Sequence, residues 1–260
     1  MNTAFEVNII ASGSRGNATL LKVGNTAVLI DAGVSCKRLT EGIRSCGLEP
    51  EDLNGVLLTH EHSDHVGGLS VFGRRYAQVP IYANEKTWMA LPCRREFLPT
   101  QIRVLPRGCT LGNLRVESFK IPHDAADPVG YKLYYGDDKC TYLTDCGYIT
   151  KTCEEAVEGS STLILEANHD ENMLKHGPYP LALQKRILGN YGHLSNFTAG
   201  KFLRSLKQMP QEVFLAHLSQ ENNTASLAAA TVEDVLTEEN KFSLLQLYIA
   251  RQNVLVSNKN

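Results

Sequence analysis

Apolar residues along this chain come in short runs, and the residues between the runs decide what each becomes. Glu6 to Ala11 reads as a first strand. Thr19 to Val23 and Ala27 to Asp31 read as strands joined by Gly24-Asn25, a hairpin signal. Leu39, Ile43 and Cys46 recur at helical spacing until Gly47 stops them. Val56 to Thr59 is extended, Asp64 to Tyr76 predicts one helix, and Ile81 to Ala83 a strand with a short helix after Asn84. From Ile102 to Thr144 the pattern is all strand, with turns at Gly108, Gly112-Asn113 and Gly136-Asp137-Asp138. Helices over Thr150–Val157, Leu181–Leu188, Thr198–Leu206 and Ala225–Leu236 then alternate with strands at Thr162–Glu166, Val213–Ala216 and Leu244–Ala250.

Strands in two batches, each accompanied by helices with an apolar face, predict an α/β fold of two mixed sheets packed face to face with helices outside. A length of 260 residues without a Pro/Ser/Gly linker predicts a single domain over 1–260, with a frayed polar tail after Ser257. Hydrophobic residues at 43% and charged residues at 21% fit a globular protein. The formal net charge of -2 excludes a global positive field, so any nucleic-acid contact needs a local basic patch. Neither a leader-like opening nor an apolar run of membrane-spanning length is present, and seven cysteines lack a Cys-x-x-Cys pair. These features predict a cytoplasmic protein with reduced thiols and no membrane partner.

The densest chemistry lies at Thr59-His60-Glu61-His62-Ser63-Asp64-His65, directly after an apolar strand. Imidazole nitrogen and carboxylate oxygen are ligands for zinc and its first-row neighbours. One tetrahedral ion cannot readily take all four ligands from so tight a loop. The spacing suggests that His60 and His62 face one ion while Asp64 and His65 face a second. Asp145 ends another apolar strand, where a carboxylate can bridge two cations; Cys146 would then point away. His217 also ends a strand, whereas His193 precedes a helix, so His217 is assigned to metal and His193 to proton transfer, with the exchange of these two roles as the alternative. Glu166, at its own strand end, can hydrogen-bond His193 and favour its proton-donating form.

His-x-His-x-Asp-His after an apolar strand resembles the metallo-β-lactamase superfamily of binuclear metallohydrolases. The likeness extends from Ile10–Leu20 through Leu29-Ile30-Asp31-Ala32-Gly33 to His217. Three segments are similar to the YycJ (WalJ) family, which is associated with nuclease activity on DNA. They are Gly13-Ser14-Arg15-Gly16-Asn17-Ala18-Thr19, Glu166-Ala167-Asn168-His169-Asp170 and Gly192-His193-Leu194-Ser195-Asn196. The resemblance implies a four-layer αββα sandwich, His123 as a further ligand, and two divalent cations, with zinc foremost and manganese or iron(II) as alternatives. It also gives Glu166 and His193 the proton-transfer role of a similar pair in tRNA-processing relatives. The span from Asp145 to His217 holds three or four helices, too few for an inserted cap domain, and that from His123 to Asp145 is too short for a long tRNA-grasping arm. His62 stands where flavodiiron relatives place a carboxylate, which disfavours redox chemistry.

The expected reaction is hydrolysis by water activated at the metals and oriented by Asp64, with DNA as partner and digestion from the 5′ end. The alternative is a small-molecule phosphodiester, thioester or lactone hydrolase. Ser14, Arg15 and Asn17 form a loop that could cradle a phosphate or serve as a tight turn. Asn196 and Lys201 are further substrate contacts; Lys201, Arg204 and Lys207, with Lys185-Arg186 and Arg74-Arg75, would line either a phosphate groove or a solvated face. His169 and Asp170 are read as hydrogen-bonding behind the ligands, His176 as a surface residue, and Glu61 as facing away from the metals.

Overall fold

A computed structural model describes residues 3–105, 107–238 and 241–259, without the side chain of residue 244. Its strands are β1 (Glu6–Ala11), β2 (Ala18–Val23), β3 (Thr26–Ile30), β4 (Gly55–Leu57), β5 (Ile81–Ala83), β6 (Ile102–Val104), β7 (Gly108–Leu111), β8 (Leu114–Lys120), β9 (Val129–Tyr135), β10 (Asp138–Leu143), β11 (Thr162–Glu166), β12 (Glu212–Ala216), β13 (Gln246–Ile249) and β14 (Val256–Ser257). Two seven-stranded sheets result, ordered β14-β1-β2-β3-β4-β5-β6 and β13-β12-β11-β10-β9-β8-β7. Each is mixed in the same way. Antiparallel pairing runs through β1–β3 and β7–β10, then parallel pairing through β3–β6 and β10–β13.

Alternation along the strands creates the layers. Val7, Ile9, Val28 and Ile30 meet Val116, Tyr131, Leu133 and Phe214 between the sheets. Their neighbours Ile10, Leu20 and Leu29 face outward, against Leu39 and Ile43 of α1 (Cys36–Ser45) and Phe72, which lies beyond the single turn α2 (Ser63–Val66) in α3 (Leu69–Arg75). After α4 (Glu85–Ala90), the second outer layer packs Leu163, Leu165 and Leu215 on α5 (Lys151–Val157) and, past α6 (Glu171–His176) and α7 (Leu181–Ile187), on α8 (Asn196–Ser205) and α9 (Ala225–Thr237). This is the expected αββα sandwich. Local chemistry starts the outer helices: Ser35, Thr150, Ser195 and Thr224 each accept the backbone N–H three residues on.

Two expectations are corrected. The helix expected over Asp64–Tyr76 is broken at Gly67-Gly68, where a Cβ on Gly68 would stand 1.8 Å from the Val34 carbonyl oxygen. Close passage of the β3 exit loop, sealed by Gly68 N–H donating to Ala32, therefore overrides helical periodicity. A short α6 adds to the individually predicted helices, so four span Asp145 to His217, within the three or four expected there. The tail is not frayed through Lys259. Val256 pairs with Ile9, and the Asn258 amide engages Val7 N, Phe5 O and Glu212.

The ends of β3, β4, β10, β11 and β12 lead into Asp31, the His60–His65 loop, Asp145, Glu166 and His217. Gly33 lets the β3 exit touch the Asp64 backbone: a Cβ there would lie 1.7 Å from the Asp64 carbonyl oxygen. Gly33→Ala is expected to destabilise the protein by roughly 3 kcal/mol and to weaken metal binding by displacing Asp64. Urea denaturation and metal titration check this; wild-type stability would show that the loop yields freely.

Candidate metal centre

The expected metal ligands converge on one cleft in two connected groups. His60, His62 and His123 place one ring nitrogen each within 4.8 Å of one another. An Asp64 carboxylate oxygen and one ring nitrogen each of His65 and His217 lie equally close, and a trio of His60, His65 and Asp145 links the halves. His65 Nε2 is 3.4 Å from Asp64 Oδ2 and 3.3 Å from Asp145 Oδ2, and His217 Nε2 is 3.4 Å from Asp64 Oδ2. Asp145 also reaches His123 Nε2 at 3.8 Å, a position between the two groups.

Hydrogen bonds decide which ring atom each histidine presents. His65 Nδ1 donates to Asp31 at 2.7 Å, and His217 Nδ1 to Glu166 Oε1 at 2.9 Å. His123 Nδ1 lies 3.3 Å from the Gly192 carbonyl. Each partner turns Nε2 toward the cleft. His62 instead presents Nδ1, 3.3 Å from His123 Nε2. His193 also donates Nδ1 to Glu166 Oε1, at 2.7 Å; it forms a further cluster with Asp145, Glu166 and His217 but does not join the Asp64–His65 group. His217 thus sits in both groups and His193 in one, and both line the cavity. Cys146 N–H donates to Glu166 Oε2, and its thiol turns to the Tyr148 carbonyl, away from the cleft.

The residues fit divalent cations. His60 Nε2 and Asp145 Oδ2 are buried without a hydrogen-bond partner among the described residues. Burial holds His60 well below the usual imidazole range, so its nitrogen is an available lone pair. Burial also opposes charge on His65 and His217, but Asp145 and the other carboxylates outweigh it, raising His65 well above its ordinary value and His217 to about 10. Conversely, the charged histidines overcome burial to hold Asp64 and Asp145 low, and Glu166 at about 2. Without a cation, protons on His65 and His217 balance the carboxylates.

The Ser12–Asn17 loop, expected as a phosphate cradle or a tight turn, closes on itself with Gly16 N–H donating to the Gly13 carbonyl. Its polar groups are used internally: Gly13 N–H donates to Asn17 Oδ1, Arg15 N–H to Gln252, and Asn17 N–H to the Asp64 carbonyl at 2.7 Å. Ser12 Oγ accepts from His217 N at 2.7 Å. The loop is a brace for Asp64 and His217; Ser14 lines the cavity, while Arg15 does not. Asn17 contacts Asp64 rather than open solvent. Asn196 is buried, exchanging hydrogen bonds with Asn223, and so is a scaffold residue rather than a surface for substrate. Lys201 lies over the Phe197 ring in a separate groove. Arg74 pairs with Glu96 and Arg204 with Glu238, so the expected basic face is partly neutralised.

Asp170 caps α6 by accepting from Met173 N–H at 2.8 Å, which accounts for it without reference to the metal ligands. His169 is buried with neither ring nitrogen hydrogen-bonded among the described residues, contrary to the expected bonding role. His176 lies at the surface, and Glu61 turns away to accept from Ala126 N–H. Asp31 was within a recognised run but had no assigned task; it accepts from Thr59 N–H and Oγ–H as well as His65. Its signal was an acid ending an apolar strand, the same signal that singled out Asp145. Tyr179, Leu183 and Tyr191, which line the cavity of about 200 Å³, carried no such signal, whereas Arg186, also in its lining, belongs to the expected Lys185-Arg186 basic pair.

Fold and cleft together define a metallohydrolase-type scaffold. A model described as a Beta-lactamase superfamily domain matches residues 26–218. Exodeoxyribonuclease WalJ of Streptococcus pneumoniae is 37% identical over 240 residues, covering 90% of this chain and 89% of that protein. Exodeoxyribonuclease YycJ of Bacillus anthracis is 37% identical over 236 residues, covering 89% of each. The metallo-β-lactamase fold protein YhfI of Bacillus subtilis superposes with a TM-score of 0.72 at 18% identity, over 98% of this chain and 99% of its own. The chain belongs to the β-lactamase superfamily and, within it, to the WalJ/YycJ family. No helix among the described residues is long and apolar enough to cross a membrane.

Cation uptake must displace protons from His65 and His217. Affinity is therefore expected to keep rising with pH until the free site loses its His217 proton near pH 10, with proton release visible by calorimetry in buffers of different ionisation enthalpy. Release of no protons would contradict this charge assignment. Metal analysis should show a larger loss in His217→Ala than in His193→Ala; full occupancy in His217→Ala would reverse the two roles.

Proposed function

We propose that this chain is a divalent-metal-dependent phosphodiesterase that removes nucleotides from DNA ends, beginning at the 5′ end. The observation that carries this reading is the convergence of His60, His62, Asp64, His65, His123, Asp145 and His217 at one cleft. Family membership supports DNA as substrate, since the relatives bear the name exodeoxyribonuclease. Two cations fit the paired groups; zinc, manganese and iron(II) all accept this donor set.

Bound divalent cations would supply Lewis acidity at a phosphate oxygen and a water of lowered pKa. Asp64, steadied by Asn17 and His217, aims a carboxylate at the attacking water. Asp145 holds the two ligand groups in register. His193, fixed by Glu166, presents its free ring edge to the cavity and gives a proton to the leaving oxygen. Glu166 also receives Leu194 N–H at 3.1 Å, tying the backbone that delivers His193. Nothing in this sequence of steps needs a covalent enzyme intermediate.

A second reading is hydrolysis of a small ester. The modest cavity volume and its single arginine, already paired with Asp124, favour it. Salt separates the readings. With even two phosphate contacts, DNA cleavage should fall about tenfold between 50 and 200 mM salt, while small-ester turnover stays nearly level. Duplexes labelled at either end, assayed with manganese or zinc, test substrate and polarity; turnover of a small diester without DNA cleavage would establish the second reading. His193→Ala should lower kcat by about a hundredfold or more and remove one limb of the pH–rate profile. An unchanged profile would take proton transfer away from His193.

A further inference from the structure

One wall of the cleft comes from residues 179–193. Tyr179, Leu183, Arg186, Ile187 and Tyr191 line it, and the stretch ends in His193. Arg186 is the one lysine or arginine among the described residues lining the cavity. Its Nε donates to Asp124 Oδ2 at 2.6 Å, and Asp124 directly follows the candidate ligand His123. The Arg186 and Asp124 side chains are 56% and 33% exposed, so an incoming anion can reach the pair. A salt bridge this open contributes little to holding the wall. The backbone holds it instead: His193 N–H donates to the Ile187 carbonyl at 3.0 Å, and Gly192 N–H to Gly189 at 2.9 Å. Tyr191 is 63% exposed, which leaves its ring open at the cavity rim. An aromatic face beside a cation is the surface on which a nucleobase stacks while its phosphate is paired.

We propose that this wall reads the DNA end: Arg186 exchanges Asp124 for the phosphate next to the scissile one, and Tyr191 stacks on the base of the departing nucleotide. The proposal rests on the nuclease reading. Asp124 then acts as a placeholder, keeping the guanidinium aimed into the cleft and competing with substrate for it. The two partners therefore have opposite effects on DNA binding, which a purely structural clamp would not produce.

The test compares three substrates: a duplex with a normal terminal nucleotide, the same duplex with an abasic terminal nucleotide, and bis(p-nitrophenyl) phosphate, which has one phosphate and no base. Arg186→Met should raise KM for the normal duplex at least tenfold. Its loss in kcat/KM there should exceed its loss on the small diester about tenfold. Asp124→Asn should lower KM for the duplex. Tyr191→Ala should abolish the preference for a base-bearing terminus, and Tyr191→Phe should restore it. Equal losses on duplex and small diester in both Arg186→Met and Asp124→Asn would reduce the pair to a clamp and overturn the phosphate assignment. An intact base preference in Tyr191→Ala would overturn the stacking. Failure of the wild type to cut any duplex while cutting the small diester would remove the nuclease reading and this proposal together; indifference of the variants in a wild type that cuts DNA sinks this proposal alone.

Discussion

Keeping several carboxylates charged with little water around them is the constraint on which this structure turns. Asp31, Asp145 and Glu166 are almost wholly buried, and the Asp64 side chain is 23% exposed. A buried anion without a nearby counter-charge is strongly destabilising. The fold answers with paired arrangements, one from each sheet. Beyond the end of β3, Asp31 receives the Nδ1–H of His65; at the end of β11, Glu166 receives that of His217. Both histidines then turn Nε2 to the same Asp64 oxygen. The two sheets thus meet electrostatically at Asp64 as well as through their shared apolar layer.

Bringing these groups together bends the backbone where side chains rarely tolerate it. Asp31, Asp145 and His217 have φ of 60°, 57° and 57°, and they are the non-glycine residues in the left-handed region among those described. Such a conformation costs about 1 kcal/mol or more at each position. Glycine would relieve it but could neither ligate nor carry charge. The strain is opposed locally: Thr59 N–H binds Asp31 Oδ1 at 2.8 Å, and His217 N–H binds Ser12 Oγ. This explains why the Gly-rich opening is engaged with its own chain. Its task is to hold strained strand exits in place.

Much of this was legible in the sequence because it is local. Period-two alternation with strong turns fixed most strands, and histidines spaced within one loop announced their chemistry. The acids and histidines singled out at strand ends do lie together around one cleft. What stayed hidden depends on contacts far apart in the chain. Ser12 meets His217, and Asn17 meets Asp64, and neither partner has a signature visible from the other. The break at Gly67-Gly68 is set by the passage of Val34, not by the helix itself. Asn196 was expected to contact substrate, yet its amide is spent on Asn223.

The charge around the cleft also resolves an apparent conflict between a slightly acidic chain and a polyanionic substrate. Asp64, Asp124 and Asp145 face the cavity with one arginine, and in the bare cleft the protons on His65 and His217 only balance the carboxylates, so no net positive charge is left to draw phosphate in. Divalent cations held by the same carboxylates and histidines would make the local field positive, and the low-dielectric walls would concentrate it at the mouth. Strong attraction is then confined to the reacting position instead of being spread along a basic groove. An enzyme built this way grips a chain end, which can enter the cleft, more effectively than the middle of a duplex, which meets only the partly neutralised exterior. Preference for ends would then follow from where the positive charge sits, without a separate device to block internal cutting.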